Sequence, residues 1–175
     1  MLYAAHGSNL HPARLALRLP GVRFIGTAAV TGRNLRFHKR SIDKSGKCDI
    51  PAGDGLIHVA IYEMTRDEKA QLDKIEGVGM GYTVETINVA GFGECFTYVA
   101  ELSYIDNRLR PYSWYKSLVL AGCEALDLPS DYMEGIREIS AAEDPDKERN
   151  AINLQILNFI RDSVNAAAMI RGQVP

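Results

Sequence analysis

Two short segments carry residue types whose chemistry does not follow from packing. The first is Gly7-Ser8-Asn9-Leu10, which follows His6 and an apolar run from Leu2 to Ala5. A strand that ends in such a turn, just before a helix, presents consecutive backbone N–H groups as a concavity for an anion. Glycine there lets a ligand approach the backbone closely. The same residues also make an ordinary turn. The second segment is Glu76-Gly77-Val78-Gly79-Met80-Gly81-Tyr82. A carboxylate at the end of a helix meets the negative pole of the dipole, which favours the protonated form and suits a group that takes and returns a proton. The glycines leave space beside it. Gly77 also suits a left-handed C-cap, and the two readings are compatible.

Other candidates are weaker. The stretch from Lys39 to Ile50 sets Ser45-Gly46-Lys47 together but lacks the G-x-x-x-x-G-K-[ST] spacing of a phosphate loop, so no nucleotide is expected. It reads either as a charged surface hairpin or as a lid over a pocket. Arg110-Pro111-Tyr112-Ser113-Trp114-Tyr115-Lys116 gathers aromatics where a loop enters a helix. Such a cluster is core material, with a phenol able to hydrogen-bond a ligand or a loop. Ser8 is not in a G-x-S-x-G elbow. Cys48 has lysine beside it, which favours a thiolate, but no spacing identifies a partner histidine. His6, His11, His38 and His58 show no metal-binding spacing, and neither metal nor cofactor is expected.

The elements that must position these residues follow from periodicity and punctuation. Leu2 to Ala5 reads as a strand and Pro12 to Arg18 as a helix with proline in its first turn. Val22 to Phe37 makes two strands, or one bent strand with a bulge at Gly32. Lys39 to Gly55 is polar and reads as a long loop. Leu56 to Met64 alternates as a strand. Thr65 and Glu68 form a capping-box pattern for a helix to about Ile75. Tyr82 to Val89 and Glu94 to Leu102 read as an antiparallel pair joined near Gly91-Phe92-Gly93. Helices are expected over Ser113 to Leu126 and Asp131 to Ile139. After a charged linker, a long amphipathic helix is expected over Ala151 to Ile170, with Ile152, Ile156, Phe159, Ile160 and Val164 spaced for packing. That stripe docks on the domain's own core or pairs with a second copy. The pattern is α+β: a small, largely closed sheet with flanking helices.

At 175 residues and 46% hydrophobic, the chain is expected to fold as one domain over 1–175, with residues 141–175 a linker and C-terminal helix. A net charge of −2 gives no global field for nucleic acid or an anionic membrane. Cys48, Cys95 and Cys123 are odd in number and widely spaced, which suggests a reducing, cytoplasmic setting. The opening Met1-Leu2-Tyr3-Ala4-Ala5 does not read as a signal peptide, and no apolar run is long enough to span a bilayer.

The ordered set of segments resembles the gamma-glutamylcyclotransferase family. That family opens with a strand and Tyr-Gly-Ser-Asn-Leu, here His6-Gly7-Ser8-Asn9-Leu10, with histidine where the family has tyrosine. Its Leu-Asp-x-x-Glu-Gly appears as Leu72-Asp73-Lys74-Ile75-Glu76-Gly77, its proline-proximal Tyr-Lys as Tyr115-Lys116, and its Leu-Pro-x-x-Tyr as Leu128-Pro129-Ser130-Asp131-Tyr132. The resemblance covers about residues 2 to 140 and leaves out the C-terminal helix. It implies a β-barrel-like mixed sheet with flanking helices. It also implies cofactor-independent cyclisation of a small γ-glutamyl substrate to 5-oxoproline, with release of an amine or amino acid. By the same resemblance Glu76 is the general acid/base, and His6, Gly7, Ser8, Asn9, Leu10 and Tyr115 form the substrate site. The leaving amine, the fit of glutathione, and the choice between monomer and homodimer stay open. A non-catalytic binding module of the same fold, or a cyclotransferase for a tailored γ-glutamyl metabolite, are the alternatives.

Overall fold

The computed structural model describes the backbone of residues 1–171 and the side chains through Ser163. The strands are β1 (Leu2–Ala5), β2 (Arg23–Arg33), β3 (Arg36–Arg40), β4 (Gly46–Asp49), β5 (Ala52–Glu63), β6 (Tyr82–Val89) and β7 (Gly93–Ala100). The helices are α1 (Pro12–Arg18), α2 (Arg66–Glu76), α3 (Ser113–Ala125), α4 (Ser130–Glu138) and α5 (Lys147–Arg171). Five strands form one sheet in the order β2-β5-β1-β7-β6. Its neighbours are antiparallel except β1 and β7, which run parallel.

The period of two along a strand places the core. In β5, Ile57, Val59 and Ile61 pack with Ala4, Val30, Ile87, Val89 and Cys95 on one face. Ala60 and Tyr62 join Tyr3, Leu10, Leu15, Leu118 and Ile160 on the other. The sheet curls enough that its two edge strands meet: Arg33 of β2 donates to Glu85 of β6, one contact at 3.2 Å. This is the α+β, barrel-like mixed sheet expected from the sequence, with the long C-terminal helix in place.

Two local expectations change, and one open choice is settled. The segment from Lys39 to Gly55 is not a loop. It holds the end of β3, all of β4 and the start of β5. A tight turn over Ser41–Ser45 folds it into a hairpin, with Lys44 at φ 68° and Ser45 N–H donating to Asp43 Oδ1 at 3.0 Å. β2 does continue through Gly32 (φ 77°) with a register shift between Thr31 and Arg33, and β3 starts separately at Arg36. The C-terminal helix begins at Lys147, because Asp146 accepts the Arg149 N–H at 3.0 Å. Its docking face is Ile156, Leu157 and Ile160; Ile152 and Phe159 are exposed, and the Val164 side chain lies outside the described residues. Among the described residues, no helix is long and apolar enough to cross a membrane.

α2 positions the candidate acid/base. Thr65 accepts the Glu68 N–H at 3.2 Å, and the Glu68 carboxylate accepts the Thr65 N–H at 2.7 Å. Asp67 and Glu68 lie in the first turn and Lys74 in the last, as the dipole favours. Glu76 is the final helical residue, and Gly77 ends the helix at φ 73°. The Thr65 N-cap typically contributes about 1 kcal/mol to such a helix.

Candidate active site

The end of β1, the C-terminus of α2, β4, the start of β6, β7 and the first turn of α3 converge on one small cavity. It is lined by Tyr3, His6, Ser8, Asn9, Cys48, Glu76, Tyr82, Tyr98 and Tyr115. Residues 6, 8, 9, 76 and 115 of the sequence reading therefore meet here, although 67 positions separate Asn9 from Glu76. Gly7 does not line the cavity itself but packs against Cys48 and Tyr115, which do. Leu10 does not line the cavity: its side chain is in the core and its carbonyl accepts the Tyr62 hydroxyl at 2.9 Å.

Gly7–Leu10 form a single 3-10 turn directly after β1. Gly7 has φ +64°, and a Cβ there would sit 2.8 Å from Cys48 Cβ and 3.2 Å from Tyr115 Oη. Only glycine fits both the backbone and the space. A second close approach serves the same turn. A Cβ on Gly122 of α3 would lie 2.7 Å from Leu10 Cβ and 3.0 Å from the His11 nitrogen. Gly122 thus lets α3 press against the turn and bring Tyr115 to the cavity.

Glu76 is held on one oxygen. Its Oε1 accepts from Asn9 Nδ2 at 3.0 Å and from Arg18 Nη1 at 2.9 Å. Arg18 also donates to Asn9 Oδ1 at 3.1 Å, and Asn9 Nδ2 donates to the Tyr3 hydroxyl at 3.2 Å. Oε2 has no partner among the described residues. The arrangement orients the carboxylate and leaves lone pairs for a proton. Arg14, one turn before Arg18, is 7% exposed, and its Nε has no partner among the described residues. Burial and the nearby Arg18 push its pKa down to about 10, so it remains a cation at neutral pH. The α1 side of the cavity therefore carries positive charge suited to a carboxylate.

The aromatic wall is made of neutral donors. Burial raises the pKa of Tyr3, Tyr82, Tyr98 and Tyr115. Tyr98 donates to Asp73 Oδ1 at 2.7 Å. Tyr82 donates to the Cys48 carbonyl at 2.5 Å, and Tyr115 accepts the Cys48 N–H at 3.1 Å. The two phenols clamp the β4 backbone, so Tyr115 shapes the wall through Cys48. Burial also pushes the Cys48 thiol up, which removes the thiolate that the neighbouring lysine suggested. His6 sits in the wall with Nδ1 3.4 Å from Thr97 Oγ1. Burial lowers its pKa to about 4, so it is neutral near pH 7.

Other polar sites are closed by their own partners. His38 has Asn107 Oδ1 at 2.9 Å on one ring nitrogen and Asp49 Oδ2 at 2.8 Å on the other. Asp49 Oδ1 accepts the Ala100 N–H at 2.7 Å. Among the described residues, no group of three or more His, Cys, Asp or Glu could hold a metal. A larger groove of about 580 Å3 lies between β3 and the 107–111 segment, lined mainly by Leu35, Phe37, Leu109, Pro111 and Ile139 with Arg36 and Arg110. His38 also lines it, with both ring nitrogens already engaged by Asn107 and Asp49, and none of the expected site residues reaches it. The cavity at Glu76 is far smaller, about 20 Å3, enough for a single water.

The sequence reading missed Tyr3, Arg18, Cys48, Tyr82 and Tyr98. Arg18 carried a faint signal, since its one-turn spacing from Arg14 gives α1 a basic face. Tyr3 and Tyr98 read as ordinary strand residues, Tyr82 as the end of the glycine-rich segment, and Cys48 as a loop thiol.

With this geometry in view, the comparisons are informative. A model of the AIG2-like family matches residues 56–136, which include Glu76 and Tyr115. No curated protein matches the chain significantly in sequence. A solved gamma-glutamyl cyclotransferase is similar with TM-score 0.77 and 25% identity, over 89% of this chain and 98% of its own. An uncharacterized protein from Homo sapiens is similar with TM-score 0.75 and 25% identity, over 90% and 97%. YkqA from Bacillus subtilis shares the fold, with TM-score 0.69 and 20% identity over 81% of this chain and 56% of its own. The AIG2-like match covers less than half of the chain, and it and these likenesses in fold support a gamma-glutamylcyclotransferase-like assignment.

Proposed function

We propose that the chain is a γ-glutamyl cyclotransferase. The observation that carries this reading is the carboxylate of Glu76, held on Oε1 by Asn9 and Arg18 and open on Oε2, in the same cavity as the Gly7–Leu10 turn. The glutamyl α-carboxylate lies against the turn and the cationic face of α1. Glu76 takes a proton from the α-ammonium, and the freed amine attacks the γ-carbonyl carbon. The new C–N bond closes the five-membered ring. The old C–N bond breaks as Glu76 returns the proton to the leaving nitrogen, and the extra proton on the ring nitrogen passes to the released amine, which departs as an ammonium. The products are 5-oxoproline and an amine, with no water consumed. Holding the chain in a near-attack ring supplies much of the acceleration, and acid–base help adds about 10²–10⁴-fold.

A cavity of about 20 Å3 is too small for a glutamyl group. On this reading the wall opens, and the Gly77–Gly81 turn has the backbone freedom to let it, with Gly77, Gly79 and Gly81 all at positive φ. His6 in the wall, where the resembled family has tyrosine, favours the second reading of a non-catalytic binding module. The test is a mass-spectrometric assay for 5-oxoproline with γ-glutamyl amino acids, γ-glutamyl amines and glutathione. Release by wild type supports the enzyme. Binding of these ligands without release across the panel supports the module.

A further inference from the structure

The groove of about 580 Å3 between β3 and the 107–111 segment takes no part in the chemistry at Glu76. It shares no lining residue with the Glu76 cavity. Phe37 stands between the two: it lines the groove, and its ring meets the Tyr115 ring edge-on with centroids 6.1 Å apart. The groove has the volume of a small-molecule site, which typically spans about 300–1,000 Å3. Leu35, Phe37, Leu109, Pro111 and Ile139 line it with apolar surface. A second recess of about 280 Å3 against α4 shares Leu35 and Ile139 with it and adds Tyr132 and Ile136. The apolar lining therefore continues from β3 onto α4.

The polar groups select an anion. Arg36 and Arg110 line the groove, and both are exposed. Among the described residues neither has an ion-pair partner, because the neighbouring acids are taken: Asp49, opposite Arg36 in the β3–β4 ladder, pairs with His38, and Asp106 pairs with Arg108. Asn107 engages His38 Nδ1 through its Oδ1 at 2.9 Å, and its Nδ2 has no partner among the described residues. No Asp or Glu lines the groove; Asp131 lines only the α4 recess. Two cations and an amide donor without an acceptor therefore border an apolar surface.

We propose that this groove is a second binding site, for a small amphipathic carboxylate, with the anionic head at Arg36, Asn107 and Arg110 and the apolar body along Leu35, Phe37, Leu109 and Ile139. A neutral body of the same shape uses only the apolar lining and leaves both guanidiniums without an anion. A cationic head faces two like charges. A nucleic acid is a poor fit, because the two arginines border an apolar groove and form no basic stripe. The inference does not depend on the cyclotransferase reading, since no residue of the Glu76 cavity enters it.

The experiment titrates the full chain with octanoate, and with octanol and octylammonium as its neutral and cationic counterparts, followed by backbone amide NMR. Octanoate is expected to shift the amides of residues 35–38 and 107–110 saturably. It should bind about 3–10-fold more tightly than octanol, the scale of partly exposed charge-assisted contacts, and octylammonium should bind more weakly than either. Arg36→Gln combined with Arg110→Gln brings octanoate to the affinity of octanol and leaves octanol unchanged. Leu109→Ser weakens both. If either variant fails to fold, the wild-type ranking and the position of the shifts decide. Shifts centred on the Glu76 cavity, equal binding of the three probes, or an octanoate preference that survives in the double arginine variant overturn the inference. So does the absence of a saturable shift up to the solubility of octanoate. None of these outcomes bears on 5-oxoproline release, so the proposed function stands or falls separately.

Discussion

Two carboxylates near helix ends show how the fold separates structure from chemistry. Asp144, just before α5, is saturated. Its oxygens accept from Trp114 Nε1 at 2.8 Å, from Arg149 Nε at 2.7 Å and Nη2 at 2.5 Å, and from the Asp146 N–H at 2.9 Å. Glu76, at the end of α2, is held on Oε1 alone, and its side chain keeps 18% of its surface open. Both are ion-paired to an arginine. A carboxylate with every lone pair engaged fixes two elements together, whereas one with a free oxygen in a cavity can exchange a proton. The arginine does not distinguish them; the unengaged oxygen does.

The comparison breaks most sharply at Glu76. Glu76→Gln should keep its hydrogen bond from Arg18 and its fold, and lower turnover by about 10²–10⁴-fold. Asp144→Ala should do the reverse. It strands Trp114 Nε1 and Arg149, lowering stability by about 3 kcal/mol in chemical denaturation, with kcat retained in the folded fraction. The same site gives a pH signature. The hydrogen bonds from Arg149 hold the Asp144 carboxyl down to about 2, below its ordinary value. Its contribution is therefore present above about pH 4 and lost as pH falls toward 2, and this part of the acid transition should vanish in Asp144→Ala. Gly7→Ala should act on both sides of the comparison, destabilising by about 1–2 kcal/mol and slowing turnover by displacing Cys48 and Tyr115. The smallest effect is expected at Phe159, 55% exposed on α5, where Phe159→Ser should change stability by less than about 0.5 kcal/mol.

What could be read from the sequence was local. The capping box Thr65/Glu68 and the glycine after Glu76 fix the ends of α2 within one residue, because both signals sit within a turn of what they control. The strand before Gly7 is bounded in the same way. The segment over residues 36–49 reads as a loop or a surface hairpin because its charges look solvated, and its packing was hidden. Lys47 is instead half-buried against Trp114 and Tyr115 and neutralised by Asp43 four residues away. The start of α5 was hidden because Asp144 and Asp146 resemble a charged linker until Trp114, thirty residues earlier, supplies the partner. The cavity wall was the least visible. Arg18 meets Glu76 across 58 positions and Tyr82 meets Cys48 across 34, and no spacing rule reaches that far.

The most direct test of the account is a paired assay of wild type and Glu76→Gln, with 5-oxoproline release and thermal unfolding measured on the same preparations. The account predicts release by wild type, a loss of at least about 100-fold in the variant, and superimposable unfolding curves. A Glu76→Gln protein that unfolds like wild type and releases 5-oxoproline at the wild-type rate would contradict it.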